Sequence, residues 1–81
     1  MDATGDAEFV SEIRAARRLP PPVVARAIRE AAGVSQSRAA RQIGVHRLTL
    51  LRWETGTRAP NEAHRSEYAR VLDQMRDAVN P

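Results

Sequence analysis

Any chemistry in this 81-residue chain falls to arginine. Cysteine and lysine are absent, and all thirteen basic residues are arginine. The two histidines, His46 and His64, have no spacing with the acids that would make a metal site, and both read as surface residues. No Ser-His-acid or Cys-His arrangement appears, nor a phosphate-cradling glycine loop, nor a pair of acids in an evident pocket. The chain is therefore not expected to be an enzyme, and no cofactor or metal is expected. A guanidinium instead offers a planar, permanently charged fork that suits phosphate and base edges. Seven arginines against two glutamates give residues 22–60 a net charge of +5, whereas the rest of the chain carries −2. A basic middle between acidic flanks is the footprint of a polyanion-binding face. A solvated arginine-rich helix surface would leave the same composition.

The frame that must position these arginines is small. One domain of this size buries only about 60–65% of its unfolded surface, so its core is thin and pairing would help it. The absence of cysteine rules out disulfides and thiolate metal sites, and fits a reducing cytoplasm. No apolar run approaches the ~18–20 residues of a membrane span. The start, with Asp2, Asp6 and Glu8, lacks the features of a signal peptide. An intracellular soluble protein is expected.

Every long segment has helical period and none alternates like a strand, so the fold class is all-α. Residues 1–5 read as a disordered tip. Phe9, Ile13 and Ala16 then share a face of a helix from Asp6 to about Arg18. Pro20, Pro21 and Pro22 end that helix and open the next, where Val24, Ala27, Ile28 and Ala31 form an apolar stripe ahead of Gly33. Ser35 caps a helix over Gln36–Ile43 that closes at Gly44. Arg47 to Thr55 forms another, with the weak cap His46 before it and Gly56 after it. Asn61 caps the last helix, on which Tyr68, Val71, Leu72, Met75 and Val79 recur at spacings of three and four. These are five helices, with loops too short for anything but a compact bundle. Residues 1–21 divide off as a tip and accessory helix. Residues 22–81 form the main unit, with its long C-terminal helix.

Residues 35–56 carry the sharpest constraint. Two helices joined by a turn of three or four residues must cross steeply. Counting from Gln36, the fifth residue, at the closest crossing, is the small Ala40, and the ninth, in the turn, is Gly44. The core-facing places hold Ala39, Ile43, Val45, Leu50 and Trp53. All seven restricted places are suitably filled.

On these residues the chain resembles the Cro and phage-repressor helix-turn-helix family, also called the xenobiotic-response-element family. The match runs through Arg29, Gly33, Val34, Ser35, Gln36, Ala40, Gly44 and Val45, then Trp53, Glu54, Gly56 and Pro60, and covers about residues 23–75. The resemblance implies a compact five-helix bundle of the phage-repressor type, with the Phe9 helix as an additional N-terminal element without an inherited role. Ala39 departs from the family's usual leucine, which implies a hollow unless Trp53 fills it.

In such domains the second motif helix lies in the major groove. By resemblance, Arg47, Leu48 and Arg52 stand nearest the bases and Thr49 at the groove wall. An arginine fork on guanine O6 and N7 is the commonest specific contact. Arg47 has a solvated charge as its plain alternative, and Arg52 a phosphate grip. Leu48 meets a thymine methyl or packs on a neighbouring helix. Leu51 is expected to be partly exposed, within reach of the N-terminal helix. Thr49 touches a phosphate or its own helix backbone. Gln36 and Ser37 at a helix N-terminus, His46, and Arg58 in the following loop are the expected phosphate contacts. Arg29 and Glu54 are expected to form a structural ion pair that orients the recognition helix.

The expected partner is double-stranded DNA, as a palindromic operator bound by a homodimer, and the expected place is the cytoplasm, on a bacterial nucleoid or in a phage-infected host. The apolar stripe of the last helix or the Phe9 helix could supply the self-contact. A Cro-like switch, an antitoxin repressing its own operon and an accessory recombination (excision) factor fit the sequence equally. From a different class comes a protein-interaction module on the same fold, working through Leu48, Leu51 or the N-terminal helix.

Overall fold

The structure is a computed structural model that describes residues 7–10, 13 and 19–80, and these contain no strand. Four helices follow one another: α1, Pro22–Ala31; α2, Gln36–Ile43; α3, Arg47–Thr55; and α4, Glu62–Val79. Ahead of them residues 7–10 and Ile13 are also helical, with Phe9, Val10 and Ile13 exposed. The tip at 1–5 and Ala16 of the expected N-terminal face lie outside the described residues.

Local chemistry sets the boundaries. The Ser35 hydroxyl accepts from the Arg38 amide at 3.1 Å, and the Asn61 side chain accepts from the His64 amide at 3.1 Å. Each supplies an acceptor to a first-turn amide that intrahelical bonding cannot reach. His46 caps α3 with no side-chain bond at all. Between α2 and α3 only Gly44, Val45 and His46 remain, and Gly44 takes φ of 93° so that the chain can reverse. A Cβ built there would meet nothing within 4 Å. The glycine is required by its dihedral rather than by lack of room.

α4 lies across the other helices and supplies Tyr68, Ala69, Val71, Leu72 and Met75 to a core shared with Ala25, Ala39, Ala40, Ile43, Leu50 and Trp53. Trp53 packs in a tilted arrangement against Tyr68, with ring centroids 4.9 Å apart, and against His64, with centroids 6.0 Å apart. His64 is thus half-buried on the indole rather than a surface residue. Two helix faces also differ from the sequence reading. α1 buries Ala25 and Arg29, and of its expected stripe only Ile28 packs against the core, while Val24, Ala27 and Ala31 are exposed, because the helix is turned to bring Arg29 inward. In α4 the buried stripe stops at Met75 and Val79 is exposed. Eighteen residues rise about 27 Å, twice the length of α3 and more than twice that of α2, so the last turn overhangs.

Ala39 is fully buried, and a groove of about 220 Å³ opens beside it, lined among others by Ala32, Val34, Val71, Met75 and Ala78. Trp53 does not fill this space. Its ring is committed to Tyr68 and His64.

Two outcomes test this core. Gly44→Ala is expected to cost about 1–2 kcal/mol, the penalty of a left-handed alanine, and urea unfolding measures it. Burial pushes the Tyr68 phenol up to about 12, with Glu54 acting in the same direction and Arg29 opposing. The fold favours the neutral phenol, so this contribution is intact below pH 10 and is lost as pH rises through about 12. With one tyrosine and neither cysteine nor lysine in the chain, no other side chain titrates in that window. Stability should fall by on the order of 1–2 kcal/mol between pH 8 and 11.5. In Tyr68→Phe the urea midpoint should stay level.

Candidate nucleic-acid interface

The interface grows from a buried charge pair. Arg29 on α1 points to Glu54 near the end of α3 and binds it with two prongs, Nε to Oε2 at 2.6 Å and a terminal nitrogen to Oε1 at 2.9 Å. The other terminal nitrogen donates to the Val34 carbonyl at 2.8 Å. Glu54 is 5% exposed and Arg29 9%. The hydrogen bond to Glu54 raises the Arg29 pKa above its ordinary value, against the effect of burial. This pair holds the base of α3 against α1 and the segment leading into α2.

Gln36, half-buried at the first position of α2, extends the arrangement outward. Its Nε2 donates to Glu54 Oε1 at 3.1 Å, and its Oε1 accepts from Arg47 at 3.3 Å. Arg47 stands exposed in the first turn of α3. On one side of it lies an open hollow of about 500 Å³, lined by Arg26, Arg29, Ser35, Gln36, Ser37 and Leu51 as well as Arg47. On the other side a second hollow is lined by Ser37, Ala40, Arg41, Gly44, Val45, His46 and Arg47. Neither lining includes a carboxylate. Arginines, hydroxyls and the first-turn amides of α2 together make a surface suited to anionic oxygen.

The remaining candidates sit around this centre. Leu48 is 46% exposed and Arg52 is exposed, both on α3. Thr49 is half-buried, while His46 and Ser37 are exposed. Leu51 is half-buried on the wall of the first hollow. Arg58 is exposed but belongs to another hollow, with Pro22, Trp53, Pro60 and Arg65. The loop that carries it is tied back to α3. The Arg58 amide donates to the Arg52 carbonyl at 3.2 Å, and the Thr55 and Thr57 hydroxyls share a 3.0 Å bond. Thus Gln36, Ser37, His46 and Arg47 cluster, and Arg58 stands apart.

Two lining residues were not singled out by sequence reasoning, Arg26 and Arg41. Arg26 precedes Arg29 by three positions and Arg41 follows Ser37 by four, spacings that place each pair on one side of a helix. Arg26 is also steadied by Glu30, Nε to Oε1 at 3.0 Å. Their neighbourhood with Arg47 depends on how α1, α2 and α3 pack, which spacing alone does not specify.

A helix-turn-helix family model matches residues 26–74. The chain belongs to the Cro/C1-type helix-turn-helix family, a family of DNA-binding domains. The matched stretch runs from Arg26 on α1 to Gln74 on α4 and contains both hollows that flank Arg47. No curated protein and no solved structure matches the chain. Among the described residues, no helix is long and apolar enough to cross a membrane, and no group of histidines and acids could hold a metal ion.

Arg29→Met strands the Glu54 carboxylate in the core. It should lower stability by about 3–5 kcal/mol. The double variant Arg29→Met, Glu54→Leu removes both charges and should recover most of that loss in urea unfolding.

Proposed function

We propose that the protein is a sequence-specific regulator of transcription that occupies a palindromic operator in double-stranded DNA as a homodimer. The observation that carries this reading is the placement of Arg47. It is exposed at the start of α3, between two arginine-lined hollows free of carboxylates, on a helix anchored by a buried ion pair. With α3 in the major groove, Arg47, Leu48 and Arg52 meet base edges. Ser37, His46, Thr49, Arg58 and the first-turn amides of α2, that of Gln36 included, meet phosphates on either side, fixing register without reading sequence. Arg26 and Arg41 add charge to the same two walls. One such helix reads only a few base pairs. Two copies on half-sites about 34–36 Å apart give the reading length an operator needs. Such a protein works where the chromosome or an infecting genome lies, in the cytoplasm of a bacterium.

A second reading, a protein-interaction module on the same fold, draws support from the 46% exposure of Leu48 in the middle of the proposed reading surface. The two readings part in one experiment. Selection of random duplexes on the purified protein should enrich a palindromic consensus with half-sites one helical turn apart. On that operator Arg47→Ala should cost ~1–3 kcal/mol and relax one base position in each half-site. Affinity should also fall steeply with salt as condensed counterions are released. No enrichment from any pool, or binding indifferent to salt, moves the protein to the interaction class.

A further inference from the structure

We infer that the groove beside Ala39 receives the helical segment bearing Phe9 from a second copy of this chain, and that this reciprocal exchange makes the homodimer. The inference rests on the homodimer of the proposed function and deepens it by naming the two surfaces that meet.

The groove is apolar and open. Its floor is Ala39, Val71 and Met75, all buried, and its walls include the half-buried Ala32 and Val34 and the exposed Ala78. About 220 Å³ stands free there, with room for an aromatic side chain. Ala39 is the position at which the chain departs from the leucine usual in domains it resembles, so the space is a feature of this sequence. Apolar walls left in water favour an apolar occupant.

The other end of the chain supplies one. Phe9, Val10 and Ile13 lie three and four positions apart on helical backbone and share a face. Phe9 is 63% exposed, and Val10 and Ile13 are exposed as well. A phenylalanine ring buries about 150–250 Å² when covered, which makes this face the natural counterpart of the groove. Charge agrees with shape. From Asp6 to Ile13 the sequence has three acids and no base. Among the described residues that line the groove the one charge is Arg38, whose guanidinium donates to the neutral Gln42 at 3.0 Å.

Reach decides which copy supplies the segment. Leu19 sits with Pro22 and Trp53 at the start of α1, while the groove begins at Ala32, past its end. The ten residues of α1 separate the two places by about 15 Å. The link from Ile13 to Leu19 spans about 20 Å when fully stretched and about 9 Å as a helix. Phe9 could enter the groove of its own chain only along a nearly straight link. A second copy has no such limit. In a closed two-fold arrangement each segment fills the other copy's groove, so one pair of surfaces is used twice. The groove shares no lining residue with the two hollows that flank Arg47, and the contact leaves the arginine surface free.

The test uses the full chain without DNA. In sedimentation equilibrium the wild type should dimerise, and Phe9→Glu should weaken the dimer at least tenfold. Ala39→Leu, which fills the groove, should do the same, as should Ala78→Glu on the exposed rim if the buried leucine disturbs folding. Because the chain lacks cysteine, Ala7→Cys carries a single nitroxide. Mixed with isotope-labelled wild type, it should broaden the amides of Ala32, Val34 and Ala78 in the copy without the nitroxide. A dimer indifferent to Phe9→Glu overturns the inference and leaves the homodimer reading standing. So does broadening confined to the chain that carries the nitroxide and unchanged on dilution, the mark of a segment folded onto its own groove. A wild type that stays monomeric at every concentration, alone and on the selected operator, overturns the inference and the homodimer together.

Discussion

The Arg29–Glu54 pair is the contact from which the geometry of the interface follows. Two opposite charges, both almost wholly removed from water, join α1 to the far end of α3. Such a pair contributes little net stability compared with an apolar pair of the same shape, because desolvation offsets the attraction. What it contributes is direction. A fork on a carboxylate admits one approach, so the rotation of α1 and the tilt of α3 are settled together. This explains why α1 turns Arg29 inward and leaves Val24, Ala27 and Ala31 in solvent, against its own apolar pattern.

Around that pair the fold depends on small residues rather than large ones. Ala39 and Ala40, both 1% exposed, let α2 approach its neighbours closely, and the short turn at Gly44 completes the crossing. Bulk comes mainly from Leu50, Trp53, Tyr68 and Leu72. A core so divided places its rigid mass beneath α3 and leaves a groove beside Ala39.

The helix boundaries were legible in the chain because their causes are local. Ser35, Gly44, Gly56 and Asn61 act within a residue or two of themselves. The crossing of α2 and α3 was legible because seven positions had to agree. What the sequence did not disclose was rotation about a helix axis and anything dependent on three elements at once. Spacing suggested an inward stripe on α1 one step away from the true one, since it could not weigh a buried charge against exposed valines. It placed Val79 in the core because periodicity continues past the point where neighbours end. It set His64 on the surface, where the indole of Trp53 in fact half covers it. Likewise it gave Gln36 a helix-end position but not its two partners, which come from opposite ends of α3.

The bonds that close the turn after α3 have a mechanical consequence. With the Arg58 amide on the Arg52 carbonyl and the Thr55 and Thr57 hydroxyls joined, the turn is tied to the helix at two points. Nine residues of α3 span about 13 Å, close to the ~12 Å width of a B-form major groove. Arg47 stands at one end of this helix and the loop bearing Arg58 is tied back to the other. Under the proposed function it is then the duplex that adapts to a helix and turn already tied together, and sequences that deform easily would be favoured beyond the bases touched.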